Sequence, residues 1–428
     1  MERYSSYKDS GISWIGEIPS HWNVIKLNHI FYHNTGKTLN SNLKGNNHPY
    51  LTTSNVYNGY FDLSILKEMP FLDDEIERYS VTAGDLLVCE GGDIGRCNIW
   101  KENYSICYQN HLHRLRAKID IKVEYYSFLI NHIKSLGIFD NMGKGIAIKG
   151  LSAATLGNTR LLLPPLTEQE KIVSYLEGKT SKIDAYVADK EKEIELLQEL
   201  KQKTIADAVT KGLNPDAKMK DSGISWIGDI PEHWEVKRVA SFLHERKEKY
   251  NGDETLGVLS LLKGIGIIPY EDKGNLGNKA KEDLSTYKIT RKGDVVVNCM
   301  NVIIGSSGIT DYDGYISPAY YSFIPINKIM ATLYKYWLSL PQMQGAIRCM
   351  AKGILEIRLR VSSQQLLSMK IPFPPQDEQQ AIVAYIEEKC EKIDKLASEL
   401  QSEIDYLKEY KQRLIADCVT GQVNVQNI

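Results

Sequence analysis

Two stretches of the chain repeat apolar residues every seven positions. The second stretch carries no proline or glycine between 379 and 420, and the first holds one glycine, Gly178, between 166 and 211. Heptad spacing places apolar side chains along one helix face and is typical of coiled coils. The predicted seam consists of Leu176, Ile183, Val187, Ile194, Leu197, Ile386, Ile393, Leu400, Ile404, Leu407 and Leu414.

Both stretches open with signals for a helix start. Pro164-Pro165 precedes Thr167-x-x-Glu170, and Pro374-Pro375 precedes Asp377-x-x-Gln380. A small polar residue followed three positions later by Glu or Gln predicts a capping box. Each helix then runs for roughly 44 residues, or about 65 Å at a rise of ~1.5 Å per residue.

The two helices are predicted to pair with each other. A helix with a single apolar stripe has to bury that stripe against a partner. The first helix carries the chain to one end, so the second must run back, whereas a parallel pair would need a long return crossing. We therefore predict an antiparallel pair.

The chain is also an internal duplication. Residues 9–22 (DSGISWIGEIPSHW) and 221–234 (DSGISWIGDIPEHW) are identical at 12 of 14 positions, and the two helices match at an offset of 210. The blocks between them share only echoes such as Gly84-Asp85 and Gly293-Asp294. The predicted divisions are 1–22 (first arm), 23–163 (first domain), 164–212 (first long helix), 213–234 (linker and second arm), 235–373 (second domain) and 374–428 (second long helix and tail).

The two dissimilar blocks read as mixed α/β domains. Their turns are rich in Gly, Asn and Asp, for example Asn58-Gly59 and Asp313-Gly314. Runs of β-branched and aromatic residues predict strands, and helical periodicity follows them. The predicted strands are 85–89, 106–116, 294–298 and 315–324, and the predicted helices are 123–135 and 329–340. The fold class is thus α+β, with two globular domains and two long antiparallel coiled-coil helices in a pseudo-twofold repeat.

Composition narrows the class of protein. The net charge is −2, yet block 22–163 carries 15 basic and 13 acidic residues and block 234–373 carries 19 and 13. Two mildly basic domains suit a polyanionic partner but do not require one. The seven cysteines form no Cys-x-x-Cys pair, which predicts reduced and mostly buried thiols. The polar start and the lack of a long apolar run predict a cytoplasmic protein.

Motifs for catalysis are missing from the sequence. There is no Walker-type phosphate loop, no Asn/Asp-Pro-Pro-Tyr of adenine methyltransferases and no Gly-x-Ser-x-Gly elbow. The glycines of 91–95 read as a turn, and His111-x-His113 reads as an ordinary strand pair rather than a metal site. We predict no metal and no catalytic residue in this chain.

The arms and helix starts resemble a known family. The segment from Tyr7 to Trp22, its copy, and Pro-Pro-x-x-Glu-Gln at 164–169 and 374–379 are similar to the specificity subunits of type I restriction–modification enzymes. Each motif alone is modest, but two copies in the order arm, domain, helix cover nearly the whole chain.

The resemblance implies a division of labour. The two domains would be target-recognition domains, each reading one half of an asymmetric bipartite DNA site, and the helices would set the gap and dock methyltransferase subunits, two in number. S-adenosylmethionine would be bound by the methyltransferase, and ATP and Mg by a restriction motor subunit, with no cofactor on this chain. A rod of about 65 Å spans at most roughly 19 base pairs at ~3.4 Å each.

Strand-linking loops and the neighbourhood of the Lys-Gly motifs hold the candidate DNA contacts. Arg and Lys suit guanine and phosphate, and Asn and Gln suit adenine, although each such residue also has an ordinary structural interpretation. The candidates are Glu90, Asp93, Arg96, Gln109, Asn110, Lys144 and Lys149 in the first domain and Lys263, Asn298, Asn301, Ser306, Lys352, Arg358 and Arg360 in the second.

Two other classes of function stay open from the sequence. A structural coiled-coil adaptor without DNA contact would show the same heptads. The recognition half of a single-chain restriction–modification enzyme would show the same arms, although such a chain also needs a catalytic domain. The tryptophans of the arms, among them Trp22 and Trp234, are interpreted as structural.

Overall fold

Contacts in the computed structural model divide the chain into two compact units. Unit 1 comprises Met1–Glu191 and Ser402–Ile428, and unit 2 comprises Lys192–Gln401. Each long helix therefore contributes one segment to each unit. The structure describes residues 2–40, 45–142, 150–276, 279–281, 283–352 and 359–426.

Unit 1 is built on two four-stranded sheets with helices packed against them. The strands are β1 (Tyr7–Asp9), β2 (Glu17–Pro19), β3 (Asn23–Lys26), β4 (Phe31–Thr35), β5 (Asn46–Leu51), β6 (Lys67–Phe71), β7 (Ser80–Val81), β8 (Leu86–Cys89), β9 (Cys97–Ile99), β10 (Ile106–Tyr108), β11 (Leu112–Ala117) and β12 (Arg160–Leu163). The helices are α1 (Leu27–Ile30), α2 (Asp73–Ile76), α3 (Val123–Ser135), α4 (Ile138–Met142), α5 (Ala153–Asn158) and the long α6 (Leu166–Lys211). The sheet orders are β6-β5-β10-β7 and β4-β11-β8-β9.

Unit 2 repeats the second of these sheets. Its strands are β13 (Met219–Asp221), β14 (Asp229–Pro231), β15 (Glu235–Arg238), β16 (Leu243–Glu245), β17 (Leu259–Leu262), β18 (Gly266–Pro269), β19 (Lys288–Thr290), β20 (Val295–Asn298), β21 (Ser307–Ile309), β22 (Gly314–Ile316), β23 (Tyr320–Pro325) and β24 (Lys370–Phe373). Its helices are α7 (Lys328–Ser339), α8 (Pro341–Met350), α9 (Ser363–Ser368) and α10 (Gln376–Val419). The sheet β16-β23-β20-β21 has the same order as β4-β11-β8-β9. The predicted α+β fold class with a repeated domain is confirmed.

The long helices run antiparallel, as predicted. Within unit 1, Lys411 Nζ lies 2.6 Å from Asp184 Oδ1, and Lys190 Nζ lies 3.1 Å from Glu403 Oε2. Residue numbers therefore rise along α6 as they fall along α10. The equivalent pair in unit 2 joins Lys201 Nζ to Asp394 Oδ1 at 2.6 Å. The eleven seam residues are all buried or half-buried, and Leu176, Ile386 and Ile404 are fully buried.

The Glu-Gln pair at each helix start fastens the arm to the domain. In unit 1 the indole Nε1 of Trp22 donates to Glu168 Oε2 at 2.9 Å, and His21 Nε2 lies 2.6 Å from the other oxygen. Gln169 Nε2 donates to the carbonyl of Pro164, while its Oε1 accepts from the backbone N–H of Lys122, just before α3. One short motif thus joins the arm, α3 and the long helix.

Unit 2 makes the same connection with its own copy. Trp234 Nε1 donates to Glu378 Oε2 at 2.9 Å, and Gln379 Nε2 donates to the carbonyl of Pro374 at 2.7 Å. The two tryptophans are fully buried, which confirms their structural interpretation. The predicted capping boxes are wrong in detail, because the helices begin at Leu166 and Gln376, so that Thr167 and Asp377 are already helical.

The Gly-Asp echo is a repeated turn. Gly84 and Gly293 both have φ +91°, a conformation that a side chain disfavours. The aspartates that follow are buried and accept from arginines: Arg116 Nε donates to Asp85 at 2.7 Å, and Arg246 Nε donates to Asp294 at 2.6 Å. These pairs hold the turns that precede the central strands β8 and β20 in place.

Both ends of the chain lie in unit 1. The backbone N–H of Asn424 donates to Glu2 O at 2.9 Å, and Tyr7 Oη donates to Gly421 O at 3.0 Å. Gln422 Nε2 also donates to Glu17 O at 2.8 Å. Among the described helices, none has the length and apolar character needed to cross a bilayer.

Two predicted strands turn out to be two strands each. The run 106–116 is broken after Tyr108 by the turn of residues 109–111, and the run 315–324 is broken by residues 317–319. Helix 123–135 has the predicted bounds, and the predicted helix 329–340 is confirmed as α7, shifted by one residue at each end. Helix α8, with Pro341 at its first position, was not predicted. Polar side chains at 109–111 and a proline within 317–319 interrupt strand pairing. The alternation of apolar residues on either side does not by itself show these interruptions.

Candidate nucleic-acid interface

Four of the predicted contacts in unit 1 lie in two neighbouring loops. Glu90 and Asp93 follow β8, while Gln109 and Asn110 form the turn between β10 and β11. The backbone N–H of Glu90 donates to the carbonyl of His111 at 2.9 Å, so the loops are in contact. Asp93 is exposed and the other three are half-buried. Two acidic and two amide side chains are thus grouped where β8 and β10 end.

A glycine holds this turn in position. A Cβ on Gly36 would lie 2.3 Å from the carbonyl oxygen of Gln109. The neighbouring Lys37 carbonyl accepts from the N–H of Asn110 at 3.0 Å. Because only glycine permits this approach of the two backbones, the end of β4 fixes where Gln109 and Asn110 stand.

Arg96 supports the loop after β8. Its Nη2 donates to the carbonyl of Thr53 at 2.6 Å, and its Nη1 lies 3.6 Å from Asp93 Oδ2. The guanidinium also stands 5.0 Å from the ring centre of Tyr57. Asp93 in turn pairs with Lys134 at 2.9 Å. Arg96 and Asp93 are therefore engaged within unit 1, and a role of either in DNA contact stays a prediction.

A tyrosine pair stands beside Arg96. Tyr57 and Tyr60 stack with ring centres 4.9 Å apart and planes 2° from parallel. They flank the Asn58-Gly59 turn, in which Gly59 has φ +86°, and Tyr60 is 58% exposed. The sequence indicated only the turn, since ring stacking depends on how the hairpin closes.

In unit 2 four predicted residues line one cavity of about 360 Å³. They are Lys263, which follows β17, and Asn298, Asn301 and Ser306 from the end of β20 and the loop after it. The same cavity is lined by residues that the sequence analysis missed, namely Lys273, Lys279, Tyr270, Tyr287, Tyr320 and the serines Ser260 and Ser317. A signal was present, since Lys263, Lys273, Lys279 and Lys281 fall within 19 positions.

The remaining predicted residues of unit 2 are Lys352, Arg358 and Arg360. Lys352 and Arg360 exchange backbone hydrogen bonds of 2.9 and 3.0 Å, which closes a short bridge. The N–H of Val361 donates to the carbonyl of Cys299 at 2.9 Å, so this bridge lies beside the loop after β20. Arg358, and in unit 1 Lys144 and Lys149, lie outside the described residues.

His111 and His113 lie in different environments, although only one residue separates them in the sequence. His111 is exposed near Glu90, whereas His113 is fully buried and its Nε2 lies 2.7 Å from the carbonyl of Leu151. His113 stacks edge-on with His33 at 4.8 Å between ring centres. Burial, with a smaller contribution from His113, lowers the pKa of His33 to about 4. Neutral imidazoles therefore belong to the core of unit 1.

The cysteines are all free thiols, and six of the seven are buried. Burial raises the pKa of Cys97 to about 12 and that of Cys89 to about 11. A thiol with a raised pKa is a poor nucleophile and a poor metal ligand at neutral pH. This agrees with the prediction of reduced, mostly buried cysteines.

Comparison with known proteins identifies a family. The family model described as "Type I restriction modification DNA specificity domain" matches residues 19–196 and 231–406, one match in each repeat. The putative type I restriction enzyme MjaX specificity subunit of Methanocaldococcus jannaschii is 24% identical and is aligned over 96% of each chain. The type I restriction enzyme EcoBI specificity subunit of Escherichia coli is 26% identical over 82% of this chain and 76% of its own.

Solved structures share the fold. A chain from a study of complex assembly and conformational transition in a type I R-M system superposes with a TM-score of 0.70 at 16% identity, covering 95% of this chain and 99% of that one. The HsdS subunit from Thermoanaerobacter tengcongensis gives a TM-score of 0.53 at 18% identity, covering 95% and 98%.

Proposed function

The chain belongs to the type I restriction modification DNA specificity family, and we propose that it reads the DNA sequence for a type I restriction–modification enzyme. The observation that carries this proposal is the pair of equivalent sheets, β4-β11-β8-β9 and β16-β23-β20-β21. In each sheet a polar loop follows the corresponding strand, β8 in one and β20 in the other. One architecture supports two different sets of side chains.

Each unit reads one half of a bipartite site. The loop after β8 offers Glu90 and Asp93, whereas the end of β20 and the loop after it offer Asn298 and Asn301. Carboxylates accept hydrogen bonds from cytosine, and amides form paired hydrogen bonds with adenine. Because the corresponding regions of the two units carry different groups, the two half-sites have different sequences.

The paired helices set the gap between the half-sites. Their 46 and 44 residues form one antiparallel pair with an apolar seam. The seam is interrupted at equivalent positions by Lys201 and Lys411, each paired with an aspartate of the other helix. A charged residue in an apolar seam favours one register, since any other leaves it without its partner.

The methyltransferase subunits dock on the outer face of the helices. Tyr186, Leu196 and Leu200 on α6 are 62%, 55% and 50% exposed. Their equivalents 210 positions later are also apolar or aromatic and exposed, at 41%, 66% and 38%: Leu396, Tyr406 and Tyr410. Exposed apolar side chains at matching positions of a repeat suit two copies of one partner.

Catalysis then belongs to other subunits. S-adenosylmethionine is bound by the methyltransferase, and ATP and Mg by the restriction subunit. This chain contributes DNA sequence reading and assembly, and none of the reacting groups.

The test is a map of methylated positions in DNA. Cells receive the methyltransferase partner with the wild-type chain, with Asn301→Ala, or with Gln109→Ala. We expect Asn301→Ala to relax the half-site read by unit 2 alone and Gln109→Ala to relax the other alone, since a paired base contact contributes about 1–3 kcal/mol of discrimination.

Two results would contradict the proposal. Unchanged methylation by both variants would remove these loops from DNA reading. Equal relaxation of both half-sites by one variant would show that the units do not read separately. The exposed surface change Lys328→Ala, on α7 and outside the predicted loops, serves as the control.

A further inference from the structure

The cavity of unit 2 is enclosed by five separate parts of the chain. These are β17, the single-turn helix Tyr270–Lys273, residues 279–280, the loop after β20 and the turn before β23. The backbone N–H of Ala280 donates to Tyr270 Oη at 2.9 Å, and that of Lys281 donates to Tyr287 Oη at 3.1 Å. Two tyrosines thus hold the lysine-bearing segment at the wall of the cavity.

The lining has the chemistry of a nucleotide site. Lys263 and Lys279 bring positive charge, the ammonium of the buried Lys273 stands 4.4 Å from the ring centre of Tyr270, and no carboxylate stands among the described residues that line the cavity. Amides and hydroxyls of Asn298, Asn301 and Ser306 supply donors and acceptors. Leucine and tyrosine side chains complete the wall, as a planar base requires. The volume of about 360 Å³ lies at the lower end of that of ligand pockets, ~300–1,000 Å³.

The loop after β20 is held firmly. Asn298 Oδ1 accepts from the backbone N–H of Met300 at 3.0 Å and from that of Asn301 at 3.3 Å. The N–H of Ser306 donates to Asn301 O at 3.0 Å, and the N–H of Asn298 donates to Ser306 O at 3.2 Å. These bonds fix the amide plane of Asn298 and leave its Nδ2 as the donor for a ligand.

The shape decides how DNA reaches these groups. Base pairs that stay stacked are read by elements that protrude into a groove, such as a helix or a β-ribbon. A recess of this size instead suits a single nucleotide that has left the duplex. We propose that this cavity receives one nucleotide turned out of the duplex, with its phosphate near the lysines and its base edge at Asn298 and Asn301. The proposal rests on the proposed function, since it assumes that unit 2 contacts DNA.

The experiment uses the assembled complex of this chain and its methyltransferase partner. Duplexes carry 2-aminopurine at each position of the half-site read by unit 2, because its fluorescence rises when the base unstacks. Methyltransferases themselves turn out their target base, so one signal is expected at the methylated position. The proposal requires a second position whose fluorescence rises.

Two variants tie that second signal to the cavity. Ala319→Phe fills the cavity, and Asn301→Leu removes the amide at nearly constant size. At concentrations of complex that saturate the duplex, both are expected to abolish the second signal, while the signal at the methylated base reports how much duplex is bound. Lys263→Ala should lower the slope of log affinity against log salt by about 1, while Lys328→Ala, on an exposed part of α7, should not change the fluorescence.

Three outcomes would contradict the extruded nucleotide alone, and a fourth would contradict DNA reading itself. A single unstacked position, or a second signal that survives both variants, overturns the inference while the reading function stands. A reduced salt slope for Lys263→Ala without a second signal also overturns it, since the lysines then contact only the backbone of stacked DNA. If the wild-type complex shows no sequence-specific binding at all, the proposed function itself fails.

Discussion

At the scale of single residues, most of the repeated motif is explained by hydrogen bonds inside the domains. Glu168 and Glu378 each accept from a buried indole and contact a histidine, and the glutamines that follow connect the helix start to the domain. A buried indole N–H without a partner would cost about 1–3 kcal/mol. This is why the same residue types occur in both copies while the reading loops differ.

The half-buried His33, packed against the buried His113, gives unit 1 a pH-dependent stability. The pKa of His33 is lowered from 6.5 to about 4 by burial, with His113 contributing. As pH falls below 6.5 the unfolded chain takes up a proton that the folded unit resists, so stability decreases until about pH 4. Above that window the group has no effect on stability.

We expect His33→Leu to reduce this acid sensitivity by on the order of 1 kcal/mol, after allowance for the partly exposed ring. The measurement is the free energy of unfolding at several pH values across the window. His29→Leu, at an exposed position of α1, is the matched control. An unaltered pH dependence in His33→Leu would assign the acid sensitivity to other groups.

At the scale of elements, register is decided by charge as well as by the apolar seam. Lys411 contacts both oxygens of Asp184, at 2.6 and 2.7 Å, and Lys201 contacts both of Asp394, at 2.6 Å each. The lysines are only 29% exposed, whereas the aspartates are 61% exposed. The heptad pattern alone would tolerate a shift by seven residues, and these two pairs would not.

A charge exchange tests this interaction. Lys411→Asp places two carboxylates together and should lower the free energy of unfolding by roughly 1 kcal/mol. Adding Asp184→Lys should restore most of the loss, as read from a double-mutant cycle in denaturant. The same exchange at Lys201 and Asp394 is the internal comparison. Purely additive effects of the two changes would show that the pair does not contribute to register.

At the scale of the whole molecule, the duplication predicts how many partners bind. The exposed residues of α6 and α10 stand at equivalent positions, so each repeat offers the same kind of surface. Leu196→Glu with Leu200→Glu should leave one methyltransferase subunit bound, and so should Tyr406→Glu with Tyr410→Glu. The four changes together should leave none, because a charge buried in an apolar contact costs several kcal/mol.

Native mass spectrometry of the complex gives the number directly. Gln202→Glu with Gln412→Glu introduces the same charges at exposed positions on a different helix face and should leave two subunits bound. Retention of both subunits by the fourfold variant would refute docking on this surface.

Several features of this protein followed from its sequence alone. Heptad spacing, the near-identical arms and the two Pro-Pro starts were enough for the helices, their antiparallel pairing and the repeat, because these patterns depend on local periodicity and chain connectivity. Family membership rested on the same residues, and the strands β8 and β20 were found from their continuous apolar runs.

Tertiary structure decided what those patterns could not. The cavity of unit 2 joins Lys263, Tyr270, Lys279 and Asn298 from four separate segments, and the turn of Gln109 and Asn110 packs on the end of β4 because Gly36 permits a close backbone approach. The residue type of Arg96 suggests a DNA contact, which stays a prediction, and only the tertiary structure shows that its guanidinium also donates to the carbonyl of Thr53. Contacts between residues distant in sequence depend on the conformation of the loops that join them, and local patterns in a single sequence do not determine that conformation.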